Sequence, residues 1–481
     1  MNTQRGTTIH ENTRCGFGPC RAAPRRCGPK THTRLLLKTL LASLILLASP
    51  SNAPAQGRQR KTPPAGERSE ALSETVATLL RDALELLRAG KHAEAEPLVR
   101  RVIAVQPSSA DAHGLLGLIL DQGGRTHEAE REYRAALRLN PRSVSARANL
   151  GVLLARGLRH AEALRLFESV LADAPGHPQA TLNLGAALFH LRRFDEAERA
   201  LSTASGLVPQ AAEPHYYLGQ IAASRGRGEE AAEHWLRALA LRENFPEANF
   251  ALAEELRRQR RYEGAAEFYG RALAGDSKKP VHHIRLGGVL MLLVRYQEAL
   301  AVFRRAVEAF PMSAEAHYFA GIAARGLGDY EAAEASLRKS LLLRPDSVDA
   351  LAQTGFVVGE RGRTHEAERI LRRAVALDRR HFYAHYDLGR LLVRERRYEE
   401  AIPVLRSSTG IRDHDPGVHY QLFIAYSRLK RTDEAARELS IFKRLEEERK
   451  ARRSAGGEEQ VEDTLPRPAT AEPAKSEDEP D

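Results

Sequence analysis

Residues 116–133 read LGLILDQGGRTHEAEREY, and this stretch decides the fold. Leu116-Gly117 lies in an apolar run. Ala129 comes later in the stretch, and Tyr133, with its large ring, lies four residues after Ala129. Residues at that spacing lie on one face of a helix. The paired glycines between the two halves are typical of a turn. The stretch therefore predicts two amphipathic helices joined by a tight turn.

The same pattern recurs along the chain with a period of 34 residues and with neither insertion nor deletion. Such a period is the sequence signature of a repeat architecture. The alanine recurs at Ala95, Ala129, Ala163, Ala197, Ala231, Ala265, Ala299, Ala333, Ala367, Ala401 and Ala435. The small residue of the first helix recurs at Gly117, Gly151, Gly185, Gly219, Ala253, Gly287, Gly321, Gly355 and Gly389. Proline recurs at Pro107, Pro141, Pro175, Pro209, Pro311 and Pro345.

Each of these residue types has a physical role in a helix pair. Two helices approach closely where their side chains are small, so the glycine and the alanine mark the contact between them. We expect the large side chain after the alanine, such as Phe167 or Trp235, to fill the space between adjacent units. Proline lacks an N–H group and disfavours helical geometry in the preceding residue, so it ends the second helix.

On these residues the chain resembles the tetratricopeptide repeat family, over eleven units that span 76–449. The resemblance implies an all-α fold, an α-solenoid in the form of a right-handed superhelix of helix-turn-helix units. The first and last units depart from the pattern, with Ala83 and Phe423 where glycine is expected. Atypical end units are typical of solenoids, because their outer faces meet water.

Residues 1–55 are predicted to form a signal or leader segment. An apolar run from Thr39 to Ser49 follows Arg34 and Lys38, and it is too short for a comfortable membrane span. Small residues then place the expected cleavage after Ala53 or Ala55. We therefore expect a secreted, periplasmic or cell-envelope protein, with an uncleaved membrane anchor as the alternative.

Two further segments flank the repeats. Residues 56–75 are predicted to be a flexible linker and the approach to the first helix. Residues 450–481 are predicted to be a charged helix end and a disordered acidic tail, because nine acids against two bases in 454–481 leave little apolar surface to bury. The whole chain of 481 residues has a formal charge of +10.

No catalytic, cofactor or metal site is expected, so the chain is predicted not to be an enzyme. The cysteines Cys15, Cys20 and Cys27 lack the spacing of a metal cluster. Histidines do share one register of the repeat, but successive members lie on different helices without a companion ligand, which favours a packing role. They are His113, His215, His283, His317, His385 and His419.

The resemblance also implies a concave groove, lined by the first helices, that accepts a partner peptide or domain. Aromatic rings would supply contact area and arginines would hold carboxylates. Ordinary packing is the alternative role for the aromatic residues. The candidate groove residues are Tyr216, Phe250, Arg257, Arg258, Ile284, Met291, Tyr318, Arg325, Tyr386, Arg390, Arg394, Tyr420 and Arg428.

The function expected from these features is a non-enzymatic protein–protein interaction scaffold of the cell envelope. An assembly or regulatory subunit of a secretion or pilus complex is one alternative. An Arg-rich nucleic-acid binder is another, and it requires that the leader does not function. Peripheral membrane association is compatible with the leader, and the oligomeric state is open.

Overall fold

The computed structural model describes the backbone of residues 65–454 and the side chains of residues 73–451. The predicted leader, the linker before residue 65 and the acidic tail after residue 454 lie outside the described residues. Twenty-two helices follow one another, and the described part of the chain contains no strand, which confirms the all-α prediction.

The helices have the following bounds: α1 Ala65–Arg88, α2 His92–Val105, α3 Ala110–Gln122, α4 Thr126–Leu139, α5 Val144–Arg156, α6 His160–Asp173, α7 Pro178–His190, α8 Phe194–Leu207, α9 Ala212–Ser224, α10 Gly228–Leu241, α11 Pro246–Arg258, α12 Tyr262–Gly275, α13 Pro280–Leu292, α14 Tyr296–Ala309, α15 Ala314–Gly326, α16 Tyr330–Leu343, α17 Val348–Glu360, α18 Thr364–Leu377, α19 Phe382–Arg394, α20 Tyr398–Ile411, α21 Pro416–Arg428 and α22 Thr432–Ser454.

The odd-numbered helices are the first helices of their pairs, and the even-numbered helices are the second. The chain divides into two compact units, residues 1–166 and residues 167–481, with the boundary inside α6. Within each of these two compact units, the two helices of a pair pack closely against each other, which is the arrangement of an α-solenoid. The first helix begins at Ala65, so residues 65–75 are helical where we expected a linker and the approach to the first helix.

Each pair is held by the contact of a glycine with a large side chain. A methyl group added to Gly117 would come within 2.7 Å of the ring of Tyr133. A methyl group added to Gly219 would likewise come within 2.5 Å of the Trp235 ring. The large side chain therefore packs first against the glycine of its own pair. The expected contact between neighbouring helix pairs is also present, because the ring of Phe303 stacks on that of Phe319 in the following pair, with 5.5 Å between the ring centres.

Several of the first helices have a polar cap at their N-terminus. Ser109 and Ser143 stand at the N-cap and accept a hydrogen bond from the backbone N–H of the residue three positions on. The same position in later pairs holds Ser313, Ser347 and His381 with the same bond. These bonds satisfy an N–H group that has no partner inside the helix. Where a proline comes two residues before the cap, as at Pro107 and Pro311, the two together separate one pair from the next.

Candidate functional site

Successive first helices touch each other in residues 167–454. Packing contacts join α7 to α9, α13 to α15, α15 to α17, α17 to α19 and α19 to α21. Their solvent-facing side, from α9 to α21, is called the first-helix face below. It is the face on which the groove residues were predicted to lie.

Three of the predicted groove residues are buried, and for these the prediction is wrong. Ile284 is 6%, Met291 1% and Tyr318 7% exposed. All three side chains belong to the core cluster that runs through α9–α17. Because a partner cannot reach them, their role is packing.

The other aromatic residues of this set are half-buried or exposed. The Tyr216 ring lies 5.0 Å from that of Phe245, and its hydroxyl accepts a hydrogen bond from Gln220 Nε2 at 2.8 Å. Phe250 packs 5.5 Å from Tyr269.

Nearer the C-terminus, Tyr386 stacks on Phe382 at 5.9 Å. Tyr420 is 42% exposed and lies 5.2 Å from Phe442. The aromatic register is thus a discontinuous set of rings, of which Tyr420 is the most accessible.

The predicted arginines lie on the first-helix face, but all except one already have partners within the chain. Arg257 pairs with Glu254 at 3.2 Å, and Arg258 pairs with Glu255. Arg325 donates to the Gln353 side chain.

Farther along, Arg390 and Arg394 share the carboxylate of Glu360 at 2.9 and 3.4 Å. Arg428 is exposed and has no ion pair among the described residues. Most of these arginines are therefore paired within the chain, four of them with neighbouring acids and Arg325 with Gln353.

A cavity of about 250 Å³ opens between α17 and α19. Its wall consists of Gly355, Phe356, Gly359, Leu371, Asp387, Arg390, Leu391, Val393, Arg394 and Gln421. Arg390 and Arg394 belong to the predicted groove, whereas Phe356, Asp387 and Gln421 do not.

Asp387 is the unusual member of this wall. The residue is 6% exposed, yet its carboxyl group makes no hydrogen bond within the described residues. The nearest cation is Arg390, whose Nε lies 3.8 Å from Oδ1. Burial raises the pKa of Asp387 to about 6, against the opposing attraction of Arg390 and Arg325. A carboxylate removed from water is costly, and the attraction of Arg390, at a distance longer than a hydrogen bond, offsets this cost only in part.

The charged groups around Asp387 are held rigidly. The guanidinium groups of Arg325 and Arg390 lie 5.0 and 4.7 Å from the Phe356 ring centre. Arg394 donates a hydrogen bond to the Gly359 carbonyl at 2.7 Å. Such contacts restrict the arginine side chains, so a ligand would meet preformed donors.

The histidine register has a structural role. The Nε2 of His317 and of His385 lies 3.0 Å from the backbone carbonyl of the residue six positions earlier. The ring thereby fixes the loop that enters the first helix. In His419 the second nitrogen, Nδ1, also lies 2.6 Å from Glu438, a hydrogen bond that raises the pKa of the histidine.

Residues 65–454 contain no group of three or more His, Cys, Asp or Glu side chains arranged to hold a metal ion. Among the same residues, none of the helices combines the length and the apolar character needed to cross a bilayer.

Sequence reasoning missed Asp387, and one signal was available. The register two positions before the glycine holds Asn149, Asn183, Gln353 and Gln421 in other units, but an acid only in Asp387. A lone acid in a register that faces the neighbouring first helix indicates a role outside the repeat's own packing.

Comparison with known families agrees with the repeat pattern. One family model described as tetratricopeptide repeat matches residues 153–221. A second model with the same description matches residues 80–129, 120–178, 229–280, 289–350 and 358–416. No curated protein sequence matches the chain.

Several solved structures are similar to parts of the chain. Pseudomonas aeruginosa PilF is 24% identical, with 44% of this chain and 96% of that chain covered and a TM-score of 0.39. PilW, a widely conserved type IV pilus biogenesis factor, is 20% identical, with 45% and 98% covered and a TM-score of 0.40. The APC/C hetero-tetramer Cut9–Hcn1 is 12% identical, with 77% and 93% covered and a TM-score of 0.41.

The matched family models together cover more than half of the chain, and all of them lie within the helices α1–α21 and their connections. The tetratricopeptide repeat is typically a non-catalytic scaffold that binds protein or peptide partners. The chain belongs to the tetratricopeptide repeat family.

Proposed function

We propose that the chain is a protein-interaction scaffold of the cell envelope, and that partner peptides or domains bind on the first-helix face. The observation that carries this proposal is the incompletely satisfied cavity between α17 and α19, with the buried Asp387 in its wall. A surface that only packed against itself would gain stability by replacing such a group with an apolar one.

The ion pairs on this face favour a protein partner over nucleic acid. Nucleic-acid binding depends on cationic side chains that are free to neutralise phosphates and so release the counterions condensed on the polyanion. Arg257, Arg258, Arg390 and Arg394 are each held by a carboxylate. A partner that offers mixed polar and apolar groups matches the surface better than a polyanion does.

The envelope location rests on the sequence of residues 1–55 alone. Export places the mature protein among envelope partners and removes all three cysteines, which precede the expected cleavage site. N-terminal sequencing of the protein purified from its own cells tests this part, because cleavage predicts a mature terminus at Pro54 or Gln56.

Site-specific photo-crosslinking in cells tests the binding face. A benzophenone side chain at the exposed Tyr420 on α21 should capture a protein partner. The matched control is Ala335, which is exposed on the second helix α16. Adducts from position 420 and none from position 335 would support the first-helix face. Adducts from position 335 alone would refute it.

A further inference from the structure

The wall of the cavity between α17 and α19 contains a carboxylate, that of Asp387, with unused hydrogen-bond acceptor capacity. The Asp387 carboxylate forms an ion pair with Arg390 Nε at 3.8 Å but makes no hydrogen bond within the described residues, so its oxygens keep acceptor capacity. Arg390 and Arg394 are oriented toward Glu360, and Arg325 is oriented toward Gln353. An N–H or O–H group that enters the cavity can therefore donate a hydrogen bond to Asp387.

A charged ligand group does not match this wall. An ammonium or guanidinium group would satisfy Asp387 but would meet the like charges of Arg390 and Arg394 at close range. A carboxylate would attract those arginines but would face Asp387 and Glu360 and leave Asp387 without a donor. Either ion would also lose part of its hydration on entering the cavity.

A neutral carboxamide matches both halves of the wall. Its NH₂ group can donate to Asp387, while its carbonyl oxygen can accept from Arg390 or Arg394. Gln421, at the cavity edge, makes no side-chain hydrogen bond within the described residues, and its own amide can extend the network. The methylene groups of the ligand would lie against Phe356 and Leu391. A volume of about 250 Å³ suits one medium side chain rather than a larger ligand.

We propose that this cavity binds the carboxamide side chain of an asparagine or glutamine in a peptide partner. The inference rests on the proposed function, because it names the group by which a partner docks on the first-helix face. Asp387 is the specificity-determining residue, since its acceptor oxygens select a donor that an acidic or apolar side chain does not have.

The same geometry predicts that Asp387 is not needed for folding. Replacement by leucine removes a buried carboxyl group that has no hydrogen bond and keeps a side chain of similar length. Asp387→Leu should therefore unfold at the same or a higher temperature than the natural protein. A binding loss in this variant then reports on the ligand rather than on the fold.

The test uses a phage-displayed library of random dodecapeptides selected on the full chain. Enriched peptides should share an asparagine or glutamine, and its replacement by leucine in the synthetic peptide should weaken binding at least tenfold. Asp387→Leu should weaken the same peptide to a similar extent. The two changes together should cost no more than either alone, which is the signature of a direct contact. Glu395→Leu, an exposed change at the C-cap of α19, serves as the control and should leave affinity unchanged.

The pH dependence provides a separate readout. The groups that face Asp387 are Arg390, Arg325, Glu360 and His381. A carboxamide donor binds the ionised carboxylate better, so affinity should fall several-fold as the pH decreases from 7.5 to 5, and Asp387→Leu should abolish this fall. Affinity that rises on acidification would indicate a carboxylate ligand and would overturn the proposal.

The remaining outcomes separate the two proposals. Peptides that bind the face without any preference for asparagine or glutamine, or with additive effects in the double variant, overturn the carboxamide inference and leave the scaffold function standing. Failure to select any peptide that competes at the first-helix face overturns the proposed peptide-binding function and the inference with it.

Discussion

At the residue scale, the turn within each helix pair sets the strictest backbone requirement. The turn residue has a positive φ in every pair, and in five pairs it is glycine, as in Gly328 at +76°. The other pairs place a side chain there: Leu158, Arg192, Arg260, Val294, Arg396 and Lys430. The conformation costs an L-residue about 1–2 kcal/mol, and a β-branched residue suffers most.

Val294→Gly is therefore expected to stabilise the protein. Val294 has a φ of +60° and is 64% exposed, so glycine relieves strain and gives up little burial. The free energy of unfolding should rise by about 1 kcal/mol, after allowing for the greater chain entropy of glycine. Urea denaturation followed by circular dichroism measures the change. The reverse substitution in the same register, Gly328→Val, should lower stability, and a neutral result for both would show that the turn carries no strain.

At the scale of the helix pair, the first helix contains glycines of two kinds. Gly287 lies against the Phe303 ring, where an added methyl group would overlap the aromatic carbons. Its neighbour Gly288 has open space around the same point. Phe303 is fully buried and cannot move aside without disturbing the core.

The two neighbours should respond to alanine with opposite signs. Gly287→Ala should lower the free energy of unfolding by about 1–3 kcal/mol because it overpacks the contact. Gly288→Ala should raise it by up to about 1 kcal/mol because alanine is the better helix former. Thermal and urea unfolding of both variants would measure this. Equal effects would mean that helix propensity, rather than the contact with Phe303, governs the position.

At the scale of the whole chain, ion pairs join successive second helices inside each compact unit. An arginine at the N-cap of a second helix reaches back to a glutamate of the preceding second helix and forward to a glutamate in its own first turn. Arg125 connects Glu96 with Glu128, and Arg397 connects Glu368 with Glu400. The forward glutamate also offsets the unfavourable charge of an arginine at a helix N-terminus.

Glu334 is the most buried member of this series and gives a prediction for pH. Its burial is outweighed by hydrogen bonds from Arg363, Arg338 and Arg361, so that its pKa falls from 4.5 to about 2. A carboxyl group with a lowered folded-state pKa stabilises the protein fully above its unfolded pKa, and this contribution is lost as the pH falls toward 2.

Glu334→Gln should therefore lower the free energy of unfolding by up to about 3 kcal/mol at pH 7. The difference from the natural protein should shrink as the pH falls from 4.5 toward 2, because protonation removes the same charge. Urea unfolding at a series of pH values measures this. Glu331→Gln, an exposed change in the same helix, is the control and should cost a few tenths of a kcal/mol. A difference that stayed constant with pH would rule out the ionised carboxylate as the cause.

The sequence by itself determined the all-α repeat, because a strict period of 34 residues can be satisfied only by stacking one unit many times. The positions of Gly287, Ala299 and Phe303 could be assigned to the contact between helices because that contact is made within one repeat, by residues close in sequence. The turn glycines were recognised for the same reason.

Tertiary structure alone decided which residues of the predicted groove are accessible. Exposed residues occupy the same repeat positions as the buried Ile284, Met291 and Tyr318. The burial of a side chain depends on its neighbours in space, and the repeat position alone does not specify these neighbours. The pairing of Arg390 and Arg394 with Glu360 joins residues about one repeat apart, so no local pattern shows that these charges are already satisfied. The role of Asp387 could be inferred only from the fold, which buries its carboxyl group in a cavity wall beside Arg390, because the energy of a polar group is set by what surrounds it in space.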